Sequence, residues 1–203
     1  MQKDSTTEKI FERIQAAGHD EVYIASDFLD LGEYHAVRRA LLRLEESGKI
    51  QKIMRGVFYY PRYSKLLNEY EAPSPDKVAE TLARKFGWSI APCGDTALNQ
   101  LGLSTQVPAK WSYISDGPYH EFQIGPINVE FKHRSNREIS GISKKTAVVI
   151  QALKTIGKDR VTETQLRMIS RQLTDEEKTN ALKEAQQAAV WVYELIKRLV
   201  YMK

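Results

Sequence analysis

The chain has 203 residues, 42% hydrophobic and 28% charged, which is typical of a soluble globular protein and fits two small domains better than one. No apolar run approaches the roughly 20 residues of a membrane span, and the polar N-terminus lacks the apolar core of a secretion signal, so we expect a cytoplasmic protein that does not contact membranes. The single cysteine, Cys93, excludes an internal disulfide. With only four scattered histidines beside it, the sequence predicts no metal site.

The N-terminal segment predicts two short helices separated by a strand. Thr6 or Thr7 suits the N-cap of a first helix that ends near Gly18. Residues 22–24 suit a short strand, and Ser26 suits the N-cap of a short second helix. A glycine then allows the turn into the next element.

Residues 33–61 predict a third helix followed by a β-hairpin. Apolar residues recur there at spacings of three and four and indicate a helix that ends near Gly48. Two short strands joined at an Arg55–Gly56 turn follow. The apolar stripe of the helix consists of Val37, Ala40, Leu41 and Leu44.

The order of these elements is that of a winged helix-turn-helix, a motif class whose third helix lies in the major groove of DNA. Arginine can bind guanine through two hydrogen bonds, and the other polar residues of such a helix can reach bases or phosphates. The hairpin residues Lys52 and Arg55 are predicted to contact phosphates. The alternative is that the arginines form an ordinary solvated helix face. The residues predicted to contact DNA from the helix are Tyr34, His35, Arg38, Arg39 and Arg43.

The charge distribution favours DNA binding. Residues 1–33 carry 3 basic and 8 acidic side chains, whereas residues 34–65 carry 8 basic and 2 acidic side chains. This abrupt change of sign within one small domain places positive charge on the elements that would contact DNA. A solvated surface without such a function mixes the two signs more evenly.

Two prolines, Pro73 and Pro75, interrupt both helix and strand and predict a domain boundary. We therefore expect a winged helix-turn-helix domain over residues 1–63, a linker over 64–75 and a C-terminal domain over 76–203. The predicted fold class is α+β.

The C-terminal domain is predicted to combine a small antiparallel sheet with helices. Gly-Pro turns separate three candidate strands, which suggests a meander. The last helix is predicted to be long and to begin with a capping box at Thr174. Its apolar face, which includes Leu195, fits either the intramolecular core or a surface for a partner protein. The strands are residues 111–115, 121–124 and 127–133, and the helices are 76–86, 143–156, 162–173 and the final one.

A resemblance covers residues 7–173 of the chain. The hairpin sequence RGVFYYP and the downstream stretch PCGDTALNQLGLSTQVPAKWSYISDGPYHEFQIGPINVEFKH are similar to those of AbiEi-type antitoxins, the transcriptional regulators of type IV toxin–antitoxin systems in abortive infection. This resemblance implies repression of the protein's own operon through binding to double-stranded promoter DNA. It also implies a C-terminal domain that counteracts a nucleotidyltransferase-like toxin without forming a stable complex with it.

An enzyme is the alternative hypothesis. Asp116, followed fourteen residues later by Glu130 and Lys132 on a predicted strand, matches the spacing by which PD-(D/E)xK nucleases hold a divalent metal and place a lysine near the attacking water. Asp116 equally suits a carboxylate that bonds the backbone of its own turn. The chain has no glycine-rich phosphate loop, nucleophile elbow or metal-binding histidine pair, so we expect no catalytic residues and no cofactor.

A second positive segment spans residues 132–160, with 8 basic and 2 acidic side chains. It either extends the nucleic-acid surface or is a solvated connection. The residues of this possible second surface are Lys132, Arg134, Arg137, Lys144 and Lys145.

Overall fold

The computed structural model describes residues 5–134, 139 and 141–202 of an α+β protein. The chain divides into two compact units, one that extends to Lys85 and one that begins at Phe86. None of the helices in the described ranges has the length and apolar character that crossing a membrane requires. Arg137, predicted to belong to a second nucleic-acid surface, lies outside the described residues.

The first unit begins with a helix, a short strand and a second, very short helix. Helix α1, Thr6–Ala17, starts with a capping box in which the side chains of Ser5 and Glu8 accept from each other's backbone N–H groups. Ser5 is therefore the N-cap, rather than Thr6 or Thr7. Strand β1, Val22–Tyr23, leads into a single 3-10 turn, Ala25–Phe28, which is shorter than the second helix that the sequence predicted.

The third helix and the hairpin form as the sequence predicted. Helix α2, Tyr34–Glu46, buries the whole predicted apolar stripe and is followed by Gly48 with a positive φ of 70°. Strands β2, Gln51–Met54, and β3, Val57–Tyr59, pair antiparallel around the Arg55–Gly56 turn, where Gly56 has φ 74°. Strand β1 completes a three-stranded sheet in the order β1-β3-β2.

The predicted linker contains secondary structure, and the unit boundary lies later than the prolines suggested. Strands β4, Tyr63–Ser64, and β5, Glu69–Tyr70, form a second small hairpin. Helix α3, Pro75–Phe86, then packs on the first unit, where the Thr81 hydroxyl donates to the Val22 carbonyl oxygen at 3.2 Å. A proline is tolerated in the first turn of a helix because the backbone N–H groups of that turn have no acceptor within the helix. Pro75 therefore starts a helix of the first unit instead of separating the two units.

The second unit contains a four-stranded mixed sheet in the order β6-β7-β9-β8. Its strands are β6, Ile90–Pro92, β7, Trp111–Ser115, β8, His120–Ile124, and β9, Ile127–His133. Strands β8 and β9 form the expected antiparallel hairpin, but β7 pairs parallel with β9. The predicted meander order is therefore corrected: β9 holds Val129 and Phe131, both fully buried, so it takes a central place, whereas the more polar β8 lies at the edge.

The remaining helices of the second unit are α4, Gly94–Gln100, α5, Lys144–Ile156, α6, Glu163–Arg171, α7, Asp175–Glu184, and α8, Val190–Val200. The prediction of one long last helix was wrong, because the backbone leaves helical geometry at Ala188, with ψ 169°. Helix α8 packs against α6 and α7. Val192, Ile196 and Leu199 are thereby buried in the core, which accounts for the central part of the predicted apolar face.

Candidate nucleic-acid interface

Helix α2 presents its predicted DNA-contacting residues on the side opposite to its buried stripe. Successive residues of an α-helix turn by about 100°. The buried residues Val37, Ala40, Leu41 and Leu44 therefore share one side, and the remaining arc carries the polar residues. All five predicted side chains are exposed, namely Tyr34, His35, Arg38, Arg39 and Arg43.

The same angular spacing divides the arginines between two flanks of α2. Arg38 lies on the flank that faces the β2–β3 hairpin, together with Tyr34. Arg39 and Arg43 lie on the opposite flank, towards the start of α1. His35 lies between them on the helix surface. Adjacent arginines in the sequence thus belong to two different clefts.

The first cleft, which we call the hairpin cleft, has a volume of about 380 Å³ and lies between α2, the β2–β3 hairpin and the end of α3. Four of its seven lining residues are cationic, and none carries a carboxylate. The residues that line it are Tyr34, Arg38, Leu42, Lys52, Arg55, Gly56 and Lys85.

The second cleft has a volume of about 250 Å³ and lies between α2 and the start of α1. Two arginines, Arg39 and Arg43, line it together with Ala36 and three small hydroxylic residues. The hydroxylic residues are Ser5, Thr6 and Thr7.

Both predicted hairpin residues are exposed, and a β-bulge brings them to the same cleft. The register of β2 with β3 shifts between Lys52 and Met54, so that Ile53 is an extra residue in β2. Lys52 also forms an ion pair with Glu45 of α2 at 3.4 Å. Because the side chain of Lys52 is exposed and that of Glu45 is half-buried, this pair leaves the lysine available at small energetic cost.

Lys85 is the cationic lining residue of the hairpin cleft that sequence analysis did not predict. Its Nζ donates to the carbonyl oxygen of Arg55 at 2.5 Å, so α3 is tied to the turn of the hairpin. Thirty residues separate the two positions, and α3 was assigned to the second domain from its sequence. A basic residue in the last turn of a helix is common, so no local pattern marks Lys85 as part of this cleft.

The residues of the predicted second surface lie on two different elements. Lys132 and Arg134 lie at the end of β9, whereas Lys144 and Lys145 are in the first turn of α5. The charge of Lys132 is compensated by Glu130, whose carboxylate lies 3.1 Å from the lysine Nζ. This surface is therefore weaker in net positive charge than its sequence suggested.

The geometry does not bring Asp116 and Glu130 together as a nuclease site. Glu130 is in register with Ser112, whereas Asp116 follows Ser115 at the end of β7. Four strand residues correspond to roughly 13 Å, which is too far for two carboxylates to share one metal ion. Asp116 Oδ1 instead accepts from the backbone N–H of Ser89 at 2.8 Å. In the described part of the chain, no group of three or more His, Cys, Asp or Glu side chains is arranged to hold a metal ion.

Glu130 has structural partners on three sides. It accepts from the Ser112 hydroxyl at 2.9 Å and from the Tyr119 hydroxyl at 3.1 Å, and it pairs with Lys132. Burial by itself raises the pKa of Glu130, but these three partners outweigh it and hold the pKa below its usual value. The side chain is thus a stable carboxylate within the sheet.

Cys93, between β6 and α4, is buried. Burial raises the pKa of its thiol to about 11. The thiol is therefore protonated at neutral pH.

The fold and the two cationic clefts define an α+β protein with a basic, concave surface in its N-terminal unit. The chain belongs to the DUF6088 family, a family of unknown function whose model matches residues 9–181. This range includes α2, the β2–β3 hairpin and α3. A comparison with curated proteins finds no match.

Proposed function

We propose that the first unit is a winged helix-turn-helix domain that binds duplex DNA, with α2 in the major groove and the β2–β3 hairpin as the wing. The element order and the three-stranded sheet that contains the hairpin support this assignment. The observation that carries the proposal is the hairpin cleft, in which four cationic side chains and no carboxylate line about 380 Å³. Such a concentration of one sign of charge is suited to a polyanionic ligand.

The two-sided distribution of arginines on α2 supports the same placement. A helix in the major groove lies between the phosphate backbones of the two strands. Arg38 on one flank and Arg39 with Arg43 on the other are suited to these two backbones or to the base edges between them. His35 and Tyr34, near the start of the helix, take the positions from which this motif class contacts bases.

We further propose that the protein is a transcriptional regulator of antitoxin type, which represses its own operon. This part rests on the resemblance to AbiEi-type antitoxins in the hairpin and in residues 92–133. The same resemblance supports a second unit that counteracts a nucleotidyltransferase-like toxin without a stable complex. The proposal assigns no catalytic role to Glu130, whose carboxylate contacts Ser112, Tyr119 and Lys132.

The direct test is binding of the purified protein to the DNA upstream of its own gene and to a scrambled duplex, titrated at several salt concentrations. We expect tighter binding to its own upstream DNA and a steep fall of affinity with salt, because cationic contacts to phosphates release counterions. Equal and weak binding to both duplexes would refute a specific regulator. A reporter gene under the same promoter, repressed by the protein in cells, tests the regulatory role.

A further inference from the structure

Helix α3 contributes a lysine to the proposed DNA-binding surface. Lys85 lies in the last turn of α3, and its half-buried side chain reaches the carbonyl oxygen of Arg55 at the turn of the hairpin. The same Nζ lies 3.9 Å from the position that a Cβ on Gly56 would occupy, so the lysine lies directly against the turn. A winged helix-turn-helix that ended at residue 63 would lack this group.

The surroundings of Lys85 favour an anion. Burial and, after it, the positive charge of Arg55 lower the pKa of Lys85. The other cations of the hairpin cleft are Arg38 and Lys52. Glu45 pairs with Lys52 at 3.4 Å from outside the lining, which itself carries no carboxylate. A phosphate oxygen between these groups offsets their mutual repulsion and provides a charge-assisted acceptor for each of them.

We infer that Lys85 is a phosphate-binding residue of the DNA interface, which contacts the same backbone phosphate as Arg55 and holds the hairpin turn against α3. This inference rests on the proposed DNA-binding function and adds an element that a winged helix-turn-helix alone does not supply. The ligand is a phosphodiester of duplex DNA. Contact with a phosphate carries no base information, so the contribution of Lys85 is the same for every sequence.

The test compares Lys85→Gln, Lys85→Arg and, as a matched control, Lys65→Gln in the full chain. Gln keeps an N–H donor for the Arg55 carbonyl but removes the charge, and Arg keeps the charge. Lys65 is an exposed lysine of the same unit, in the loop between β4 and β5. We expect the slope of log affinity against log salt to become about 0.9 shallower in Lys85→Gln, and to stay at the wild-type value in Lys85→Arg and Lys65→Gln.

A chemical probe on the DNA locates the contact. Neutral methylphosphonates replace the phosphates of the bound duplex one at a time. One of these replacements is expected to weaken binding by the wild-type protein and to have no further effect on binding by Lys85→Gln. If the loss of affinity from the methylphosphonate and the loss from Lys85→Gln add at every position, the proposed contact is overturned. An equal loss of affinity in Lys85→Gln and Lys85→Arg, accompanied by a lower melting temperature in both, would also overturn it, because Lys85 would then only position the hairpin.

Failure of this inference is distinguishable from failure of the proposed function. If the wild-type protein binds neither duplex, DNA binding itself is refuted. If the wild-type protein prefers its own upstream DNA and Lys85→Gln binds it with the same affinity and salt slope, DNA binding stands and only the role of Lys85 is refuted. Competition with inorganic phosphate distinguishes a site for a DNA phosphodiester from a site for a free anion. Inhibition of DNA binding by millimolar phosphate at constant ionic strength would identify a free-anion site instead.

Discussion

The carboxylate of Glu184 on α7 accepts hydrogen bonds from both the backbone N–H and the hydroxyl of Ser143, the residue that caps α5. It also accepts from the Thr146 hydroxyl in the first turn of α5. Two lysines, Lys144 and Lys145, occupy the same turn, where cations are disfavoured by the helix dipole. Glu184 therefore supplies the negative charge that this helix start needs and joins α7 to α5.

Replacement of Glu184 by Gln should destabilise the second unit in a pH-dependent way. Burial raises the pKa of Glu184, but the hydrogen bonds from Thr146 and Ser143 outweigh it and lower the pKa overall. The stabilisation is therefore complete above the unfolded-state pKa of about 4.3 and is lost as the pH falls through the lower folded-state value. We expect Glu184→Gln to cost about 1–2 kcal/mol at pH 7 and little at pH 2, measured by urea unfolding.

The matched control for this pH dependence is Glu194→Gln, since Glu194 is exposed on α8. It should change the free energy of unfolding by less than about 0.5 kcal/mol. If the free energies of unfolding of the wild type and Glu184→Gln differ as much at pH 2 as at pH 7, the ionised carboxylate of Glu184 is not the source of the stabilisation.

Substitutions in α2 and in the hairpin should separate specificity from general affinity. Arg38→Ala or Arg39→Ala should cost about 1–3 kcal/mol at the specific site if the arginine binds a base through two hydrogen bonds, with little loss on a scrambled duplex. Lys52→Gln and Arg55→Gln should weaken binding to both duplexes alike, because they remove phosphate contacts. Fluorescence anisotropy with the two duplexes measures this. If all four variants bind like the wild-type protein, the interface lies elsewhere.

Gly117→Ala should destabilise the second unit through a steric clash. A Cβ at this position would lie 2.4 Å from Cε2 of Trp88, well inside van der Waals contact. Trp88 in turn packs edge-on against the buried Phe131, so it cannot withdraw freely. We expect a cost of about 1–3 kcal/mol in thermal or urea unfolding. The cost should shrink in a Trp88→Leu background, and full additivity of the two substitutions would exclude the clash as its cause.

Glu130→Gln should affect stability but not DNA binding. The substitution weakens the contacts with Ser112, Tyr119 and Lys132 and should lower the free energy of unfolding by about 1–3 kcal/mol. Affinity for duplex DNA should remain that of the wild-type protein, since Glu130 belongs to the second unit. Incubation of the wild-type protein with a duplex and Mg²⁺ or Mn²⁺ provides the second measurement. Metal-dependent cleavage that disappears in Glu130→Gln would revive the nuclease hypothesis.

The boundary at Lys85 can be tested with two N-terminal fragments. A fragment that ends at residue 87 keeps α3, whose Thr81 and Lys77 contact Val22 and Glu21. It should unfold cooperatively. A fragment that ends at residue 72 lacks those contacts and should be markedly less stable by circular dichroism on heating. Equal stability of the two fragments would indicate that α3 is not part of the first unit.

Short-range sequence patterns predicted the elements of the proposed interface. The features that sequence analysis did not predict depend on packing between elements that are distant in sequence. The stripe of α2 and the glycines after it and in the hairpin turn are short-range patterns, and their predicted elements were confirmed. The parallel pairing of β7 with β9 depends on which strand is most completely buried, which no single strand reveals. The break at Ala188 occurs without Gly or Pro, because packing of α8 on α7 outweighs the helical propensity of the segment.

The contribution of Lys85 could not be inferred because it depends on where α3 packs. Charge counting placed the positive surface between residues 34 and 65, which contains three of the four cations of the hairpin cleft. The fourth comes from a helix that the proline pair led us to assign to the second domain. The antitoxin-type regulatory role stays a prediction, which the binding and reporter experiments test.

The bulge in β2 also limits which changes of length this hairpin tolerates. In a regular strand, side chains three positions apart point to opposite faces of the sheet. The extra residue Ile53 resets that alternation, so Lys52 and Arg55 line the same cleft. Deletion of Ile53 would remove the bulge and leave Lys52 and Arg55 two positions apart, so both side chains would stay on one face. Insertion of one residue between them would instead turn Lys52 to the other face. Relatives with a functional cleft are therefore expected either to keep the bulge or to have one residue fewer between the two cations.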